Sequence, residues 1–184
     1  KFYRDLDVDG DGIPYRTRPG VHPKGAYFTR GSGHTKLGGY TEDSDEYQEV
    51  LDRLMVKWET ARNLVPEAEI RYSTFNKAAI LTLGSGDGAC KEALDRLEAQ
   101  GIGLNYCRVR AFPFTDAVRE FIEKHDVVYV VEQNRDAQLR TLLIKDIDAD
   151  QNKLKSLLHY NGMPINAGFV VEKVLEQIAE GRAA

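Results

Sequence analysis

Residues 127–131, Val-Val-Tyr-Val-Val, constrain the fold more than any other stretch of this chain. Five apolar residues in succession, without alternation, predict a short strand covered on both faces. A dense polar run follows: Glu132, Gln133, Asn134, Arg135 and Asp136. Leu139, Leu142 and Leu143 then resume at helical spacing. In an open α/β sheet, the region beyond the strand C-termini is where loops meet ligands or partners. Five hydrogen-bonding side chains at such an edge exceed what a turn needs. The simpler reading is that Asp136 caps the next helix and the others are solvated. Both readings stand on the residues alone.

The same grammar runs from Lys77 onward. Ala78–Leu83 reads as a strand, Gly84–Gly88 as a tight loop, and Ala89–Gln100 as a helix stopped by Gly101. Leu104–Val109 is a second strand. Thr115 is placed to cap a helix carrying Val118, Phe121, Ile122 and His125. The strand at 127–131 and a helix over Asp136–Lys145 follow. Leu154–Tyr160 fits a strand or a short helix, Asn161–Gly162 a turn, and Ala167–Glu180 a last helix. Alternating β and α elements predict an α/β domain over residues 70–184: three layers, a mainly parallel sheet with helices on both faces.

The first part of the chain is different. Residues 1–41 hold half of the glycines and half of the prolines, and their apolar residues show no period. Tyr3, Tyr15, Tyr27, Phe28 and Tyr40 are scattered through them. Aromatic residues in an irregular arm predict one that is ordered against another surface. Residues 42–69 hold a long amphipathic helix, from about Asp43 to Leu64, and a linker. Tyr47, Val50, Leu51, Leu54, Met55, Trp58, Ala61 and Val65 form its apolar stripe. Asp43 and Glu46 have capping-box spacing, and Pro66 ends the pattern. The stripe needs a cover, either the main domain or a partner subunit.

A net charge of −4 gives no electrostatic case for nucleic acid or an anionic membrane. No apolar run approaches the roughly 20 residues that span a bilayer, and no signal peptide is visible. The chain opens on Lys1, the expected sign of a fragment or a trimmed chain. Cys90 and Cys107 belong to no CxxC pair, which argues against an iron–sulfur or structural zinc site. Buried free thiols in a reducing compartment, the cytoplasm, are expected.

Three clusters have a chemical reading. Asp7, Asp9 and Asp11, followed by Gly12, match the opening of an EF-hand calcium loop. The match fails at the twelfth position, where Arg18 stands for the bidentate Glu, and no helix pattern flanks the loop. A turn-rich acidic loop competes with a weak cation site. Gly84, Ser85 and Gly86 open a G-x-G-x-x-A turn between a strand and a helix, the spacing of a dinucleotide-binding loop. Asp87 would set a negative charge beside a pyrophosphate, and the next strand ends in Arg108 and Arg110, which suit a 2′-phosphate. A plain βα turn is the favoured reading of this segment; an NADP-binding oxidoreductase module is the alternative function, and a calcium-responsive interaction domain a third. His22, His34, His125 and His159 have no metal spacing. His34, in the run Thr29–His34, is the one polar cluster in the arm placed to approach a ligand.

Four segments carry a resemblance. Asp7–Pro19 (DVDGDGIPYRTRP), Lys24–His34 (KGAYFTRGSGH), Val127–Leu143 (VVYVVEQNRDAQLRTLL) and Leu157–Pro164 (LLHYNGMP) resemble, in the same order, the C-terminal part of the alpha subunit of 2-oxoacid:ferredoxin oxidoreductases, above all the 2-oxoglutarate type. The resemblance implies a transketolase C-terminal-like fold preceded by an arm. It implies an enzyme that makes acyl-CoA and reduced ferredoxin by oxidative decarboxylation. Thiamine diphosphate, magnesium and an iron–sulfur cluster are then cofactors of the holoenzyme, with coenzyme A as cosubstrate; none is expected to be bound by this chain. The implied partners are the beta subunit and ferredoxin, in a homo- or hetero-oligomer. No catalytic residue carries over, because no matched motif belongs to the catalytic apparatus, and the chain is expected to be inactive alone and to support assembly. The expected partner or ligand contacts are Glu132, Gln133, Asn134 and Arg135, together with Gly84, Ser85 and Gly86. The turn at 84–88 is more glycine-rich than the resemblance leads one to expect.

Overall fold

A computed structural model describes residues 6–23, 31–73 and 77–183. Tyr3, Tyr27, Phe28 and the stretch 24–30 of the second resemblance segment lie outside the described residues. The chain divides into two compact units, Lys1–Leu64 and Val65–Ala184.

In the first unit, α1 (Ser44–Arg62) begins where Asp43 accepts from the N–H groups of Asp45 and Glu46, each at 3.0 Å. The expected reciprocal bond is replaced. Glu46 takes the Thr41 hydroxyl, and that hydroxyl accepts from the Asp43 N–H. The loop at Asp11 and Gly12 of the glycine-rich arm packs closely against α1. Gly12 sits at φ +78°, and a Cβ there would lie 2.2 Å from the Lys57 backbone nitrogen, so only glycine lets the loop approach α1. Arg53 then donates to the Gly12 carbonyl at 2.7 Å, and the Thr60 hydroxyl to that of Asp11. Tyr47, Met55 and Trp58 of the α1 stripe stay exposed.

The second unit is a five-stranded sheet with helices on both faces. Its elements are β1 (Glu69–Arg71), β2 (Ala78–Leu83), α2 (Gly86–Glu98), β3 (Asn105–Val109), α3 (Asp116–Glu123), β4 (Val127–Glu132), α4 (Gln138–Ile147), β5 (Leu154–Leu158) and α5 (Ala167–Ala183). The strand order is β1-β3-β2-β4-β5, parallel throughout except for β1, a short antiparallel edge strand. Val128, Val130 and Val131 are completely buried and Tyr129 nearly so, as an unalternating apolar run demands. Val128 and Val130 pack with α3 and α4, while Tyr129 and Val131 pack with α2 and α5. The three-layer α/β reading of the sequence matches this architecture.

Several boundaries differ from the periodicity. The helix expected from Ala89 begins at Gly86, and that expected from Asp136 begins at Gln138. The ambiguous segment at 154–160 is a strand over its first five residues. Thr115 stands at the N-cap of α3, but its hydroxyl makes no capping bond. β1 shows no pattern because three residues are too few for a period.

The two cysteines lie on opposite faces of the sheet, Cys107 with α3 and α4 and Cys90 with α2 and α5, and both are free. Burial pushes each thiol up to about 12. Thiolate is the reactive form. We expect iodoacetamide at pH 8 to modify neither cysteine in the folded chain and both in denaturant, as read by mass spectrometry. Ready labelling of either in the native chain would contradict this packing.

Candidate functional site

The chain leaves β2 toward α2 on one face of the sheet and leaves the adjacent β4 toward α4 on the other. Where successive connections diverge in this way, a crevice opens beyond the strand C-termini. A cleft of about 640 Å³ lies there. Gly84, Ser85 and Gly86 line it from the β2 side, Arg110 and Phe112 from the loop after β3, and Glu132, Gln133 and Asn134 from the β4 side. Leu83, Phe114, Leu139, Leu142 and Ile165 supply its apolar wall. Two loops singled out from the sequence, 48 residues apart, thus meet at one place: the Gln133 amide donates to the Ser85 hydroxyl at 2.8 Å. The Gln133 carbonyl accepts from Ile165 N–H at 3.4 Å, which adds the loop before α5 to the same knot.

Glycine is required on the β2 side. Gly84 adopts φ +59°, and a Cβ on Gly86 would lie 2.6 Å from the Thr82 hydroxyl oxygen. That hydroxyl is itself held, donating to the Val131 carbonyl at 2.9 Å.

Glu132 is inside the protein, 4% exposed. Its carboxylate accepts from Leu139 N–H at 2.8 Å, from Arg140 N–H at 3.3 Å, and from the Asn134 amide. Asn134 in turn accepts from the N–H groups of Asp136 and Gln138. These two residues satisfy the open N–H groups at the start of α4. Asp136, expected to cap that helix, instead chelates the exposed Arg135 guanidinium. Arg135 therefore lies outside the cleft lining, while Gln133 and Asn134 lie within it.

Asp87 also faces away from the cleft lining. It accepts from the Tyr106 hydroxyl at 2.6 Å and pairs with Lys91 at 3.1 Å and Arg108 at 3.5 Å. Glu69 on β1 joins the same network through Lys91 and Arg108. Arg108 is thereby committed to two carboxylates, which removes it from the dinucleotide reading. Arg110 makes no ion pair among the described residues. This network escaped sequence reasoning because its parts come from β1, α2 and β3; only the Asp87–Lys91 i,i+4 spacing hinted at it.

Asp7, Asp9 and Asp11 do converge, with one oxygen of each within 4.8 Å of the others. Oxygen donors of this kind suit a hard cation. Yet Asp7 already accepts from the N–H groups of Gly10 and Gly12, and Asp11 from that of Ile13, as in a self-closed loop. Partial burial raises the Asp7 carboxyl, but those backbone bonds outweigh it and leave it below the ordinary range. His34 bridges to Tyr40, with its Nε2 buried and unpartnered; Thr29 and Arg30 lie outside the described residues. His125 is structural, held between the Phe121 carbonyl and the Asn105 amide.

No known family profile matches the chain. The alpha subunit of a 2-oxoacid:ferredoxin oxidoreductase from Saccharolobus solfataricus is 26% identical over 156 residues, covering 82% of this chain and 24% of that protein. The 2-oxoglutarate synthase subunit KorA of Archaeoglobus fulgidus is 30% identical over 103 residues, covering 55% of this chain and 28% of that protein. The chain is thus similar in sequence to alpha subunits of 2-oxoacid:ferredoxin oxidoreductases. It spans about a quarter of the length of these curated relatives. Its fold is shared with a 2-oxoglutarate:ferredoxin oxidoreductase from Magnetococcus marinus, solved with 2-oxoglutarate, coenzyme A and succinyl-CoA bound. There the TM-score is 0.78 at 20% identity, over 96% of this chain and 31% of that one. The dinucleotide-binding alternative is not favoured, in keeping with the pairing of Arg108 to two carboxylates.

Two predictions follow from this geometry. Glu132→Gln keeps the shape but offers an amide to N–H groups that need an acceptor. It should cost about 1–3 kcal/mol in denaturant unfolding; an unchanged midpoint would contradict the assigned bonds. Burial raises the Asp87 carboxyl, but the Tyr106 and Lys91 bonds and the Arg108 charge more than offset this and hold it below the ordinary range. Its folded value thus lies below the unfolded one. The stabilisation is present above about pH 4 and lost as pH falls through the folded value. Tyr106→Phe should lower stability at pH 7 and flatten its decline in acid, measured by unfolding at a series of pH values. An unaltered pH profile would refute that role for Tyr106.

Proposed function

We propose that this chain is part of the alpha subunit of a 2-oxoacid:ferredoxin oxidoreductase, with 2-oxoglutarate as the favoured substrate. The reading rests on the sequence relationship that runs through 82% of the chain. The holoenzyme would decarboxylate a 2-oxoacid in the presence of coenzyme A, release an acyl-CoA and carbon dioxide, and pass two electrons to ferredoxin one at a time. Thiamine diphosphate with magnesium supplies the carbanion chemistry of such an enzyme, and an iron–sulfur cluster the one-electron steps.

In this reading the chain's own residues serve assembly. Neither cysteine offers a thiolate ligand to a cluster, since both are buried on opposite faces of the sheet. In the Asp7–Asp9–Asp11 loop both Asp7 oxygens and one Asp11 oxygen already accept from the loop's own backbone. What the chain offers outward is the exposed α1 stripe and, beside the cleft, the exposed Arg135. An exposed apolar helix face suits a subunit interface, and the beta subunit of the same enzyme is the partner proposed for it. A cytoplasmic setting suits free thiols of this kind.

The test is co-expression of the complete alpha subunit with its beta subunit. A stable complex that reduces ferredoxin only when both 2-oxoglutarate and coenzyme A are present is the expected result, with this chain inactive by itself. Ferredoxin reduction that ignores coenzyme A, or an alpha subunit that pairs with no beta subunit, would overturn the proposal.

A further inference from the structure

We infer that the cleft between the β2 and β4 loops binds a small anion, a carboxylate or phosphate that carries a flat apolar group. The inference uses only residues of this cleft and is independent of the function proposed above. A volume of about 640 Å³ is that of a small-molecule site, and its position is the switch point where α/β sheets receive ligands.

The charge balance decides the sign of the ligand. Among the described residues, the ionisable side chains that line the cleft are Glu132 and Arg110. Glu132 is buried, and its carboxylate is consumed by two backbone N–H groups and the Asn134 amide. Arg110 is exposed and makes no ion pair among the described residues. The neighbouring acids are turned elsewhere, Asp87 to Lys91, Arg108 and Tyr106, and Asp136 to Arg135. Arg110 is thus the charged group of the cleft left open to a ligand among the described residues, and its planar fork suits a carboxylate or a phosphate.

The walls decide the rest of the ligand. Two positions along the same loop, Phe112 is 44% exposed, and Leu83 and Leu142 are 46% and 41% exposed. Large apolar side chains left open at the mouth of a cleft gain by covering a flat apolar body. From the β2 side Gly84 and Gly86 bring backbone, without side chains, up to the cavity.

The test is an amide NMR titration of the whole 184-residue chain with phenyl phosphate, benzoate, inorganic phosphate and benzyl alcohol. Phenyl phosphate or benzoate should shift the resonances of Gly84, Gly86 and Arg110, with saturation at millimolar concentration. Whichever binds more tightly identifies the anionic group. Inorganic phosphate and benzyl alcohol should each bind at least about tenfold more weakly. Arg110→Gln should weaken aryl-anion binding by about tenfold or more, Leu142→Asp should weaken it too, and Lys155→Gln on β5 should leave it unchanged. The inference is overturned if no aryl anion shifts these resonances at about 10 mM, if benzyl alcohol binds as well as the anions, or if Arg110→Gln, folded by its spectrum, binds undiminished.

Discussion

Burial of β4 on both faces is the constraint from which the rest of the α/β unit follows. Val128 and Val130 fill one core, Tyr129 and Val131 the other. A strand locked in this way carries its last residue, Glu132, below the surface. A carboxylate there is costly unless hydrogen-bonded, so the first turn of α4 must come to it. The Leu139 and Arg140 amides do so. The same contact fixes the direction in which the chain leaves the sheet, and hence one wall of the cleft.

The other wall depends on close approach. Thr82 on β2 hydrogen-bonds across to the β4 backbone, and Gly86 passes so near its hydroxyl that no side chain is admitted. Gln133 then ties the two loops through Ser85. A crevice held by buried strands and by side-chain bonds across its base is preorganised. The polar groups that make it so are thereby withdrawn from chemistry.

The sheet was legible in the sequence wherever burial imposed a period or an unbroken apolar run. The residues of the candidate site were legible as a group, since a polar burst after a buried strand marks a loop at the sheet edge. Their individual roles were not. Glu132 and Asp136 are chemically alike and four residues apart. Which of them caps α4 depends on the depth at which β4 ends and on Ala137 taking a left-handed turn at φ 51°. Arg108 and Arg110 were likewise equivalent on paper. β1, too short to show a pattern, brings Glu69 to Arg108 and leaves Arg110 facing the cleft. Long-range pairings of this kind leave no local trace. The family segments did leave one, and it extends over both units.

Glu132 acts as the buried anchor of α4 rather than as a reactive acid at the sheet edge. Native-state hydrogen exchange at the amides of Leu139 and Arg140 tests this most directly. Helix N-terminal amides exchange by local fraying unless they are held. Bound to Glu132, these two should exchange only as slowly as Val130 in β4, with the same dependence on denaturant. Exchange at fraying rates while Val130 stays protected would contradict the anchor and the cleft geometry built on it.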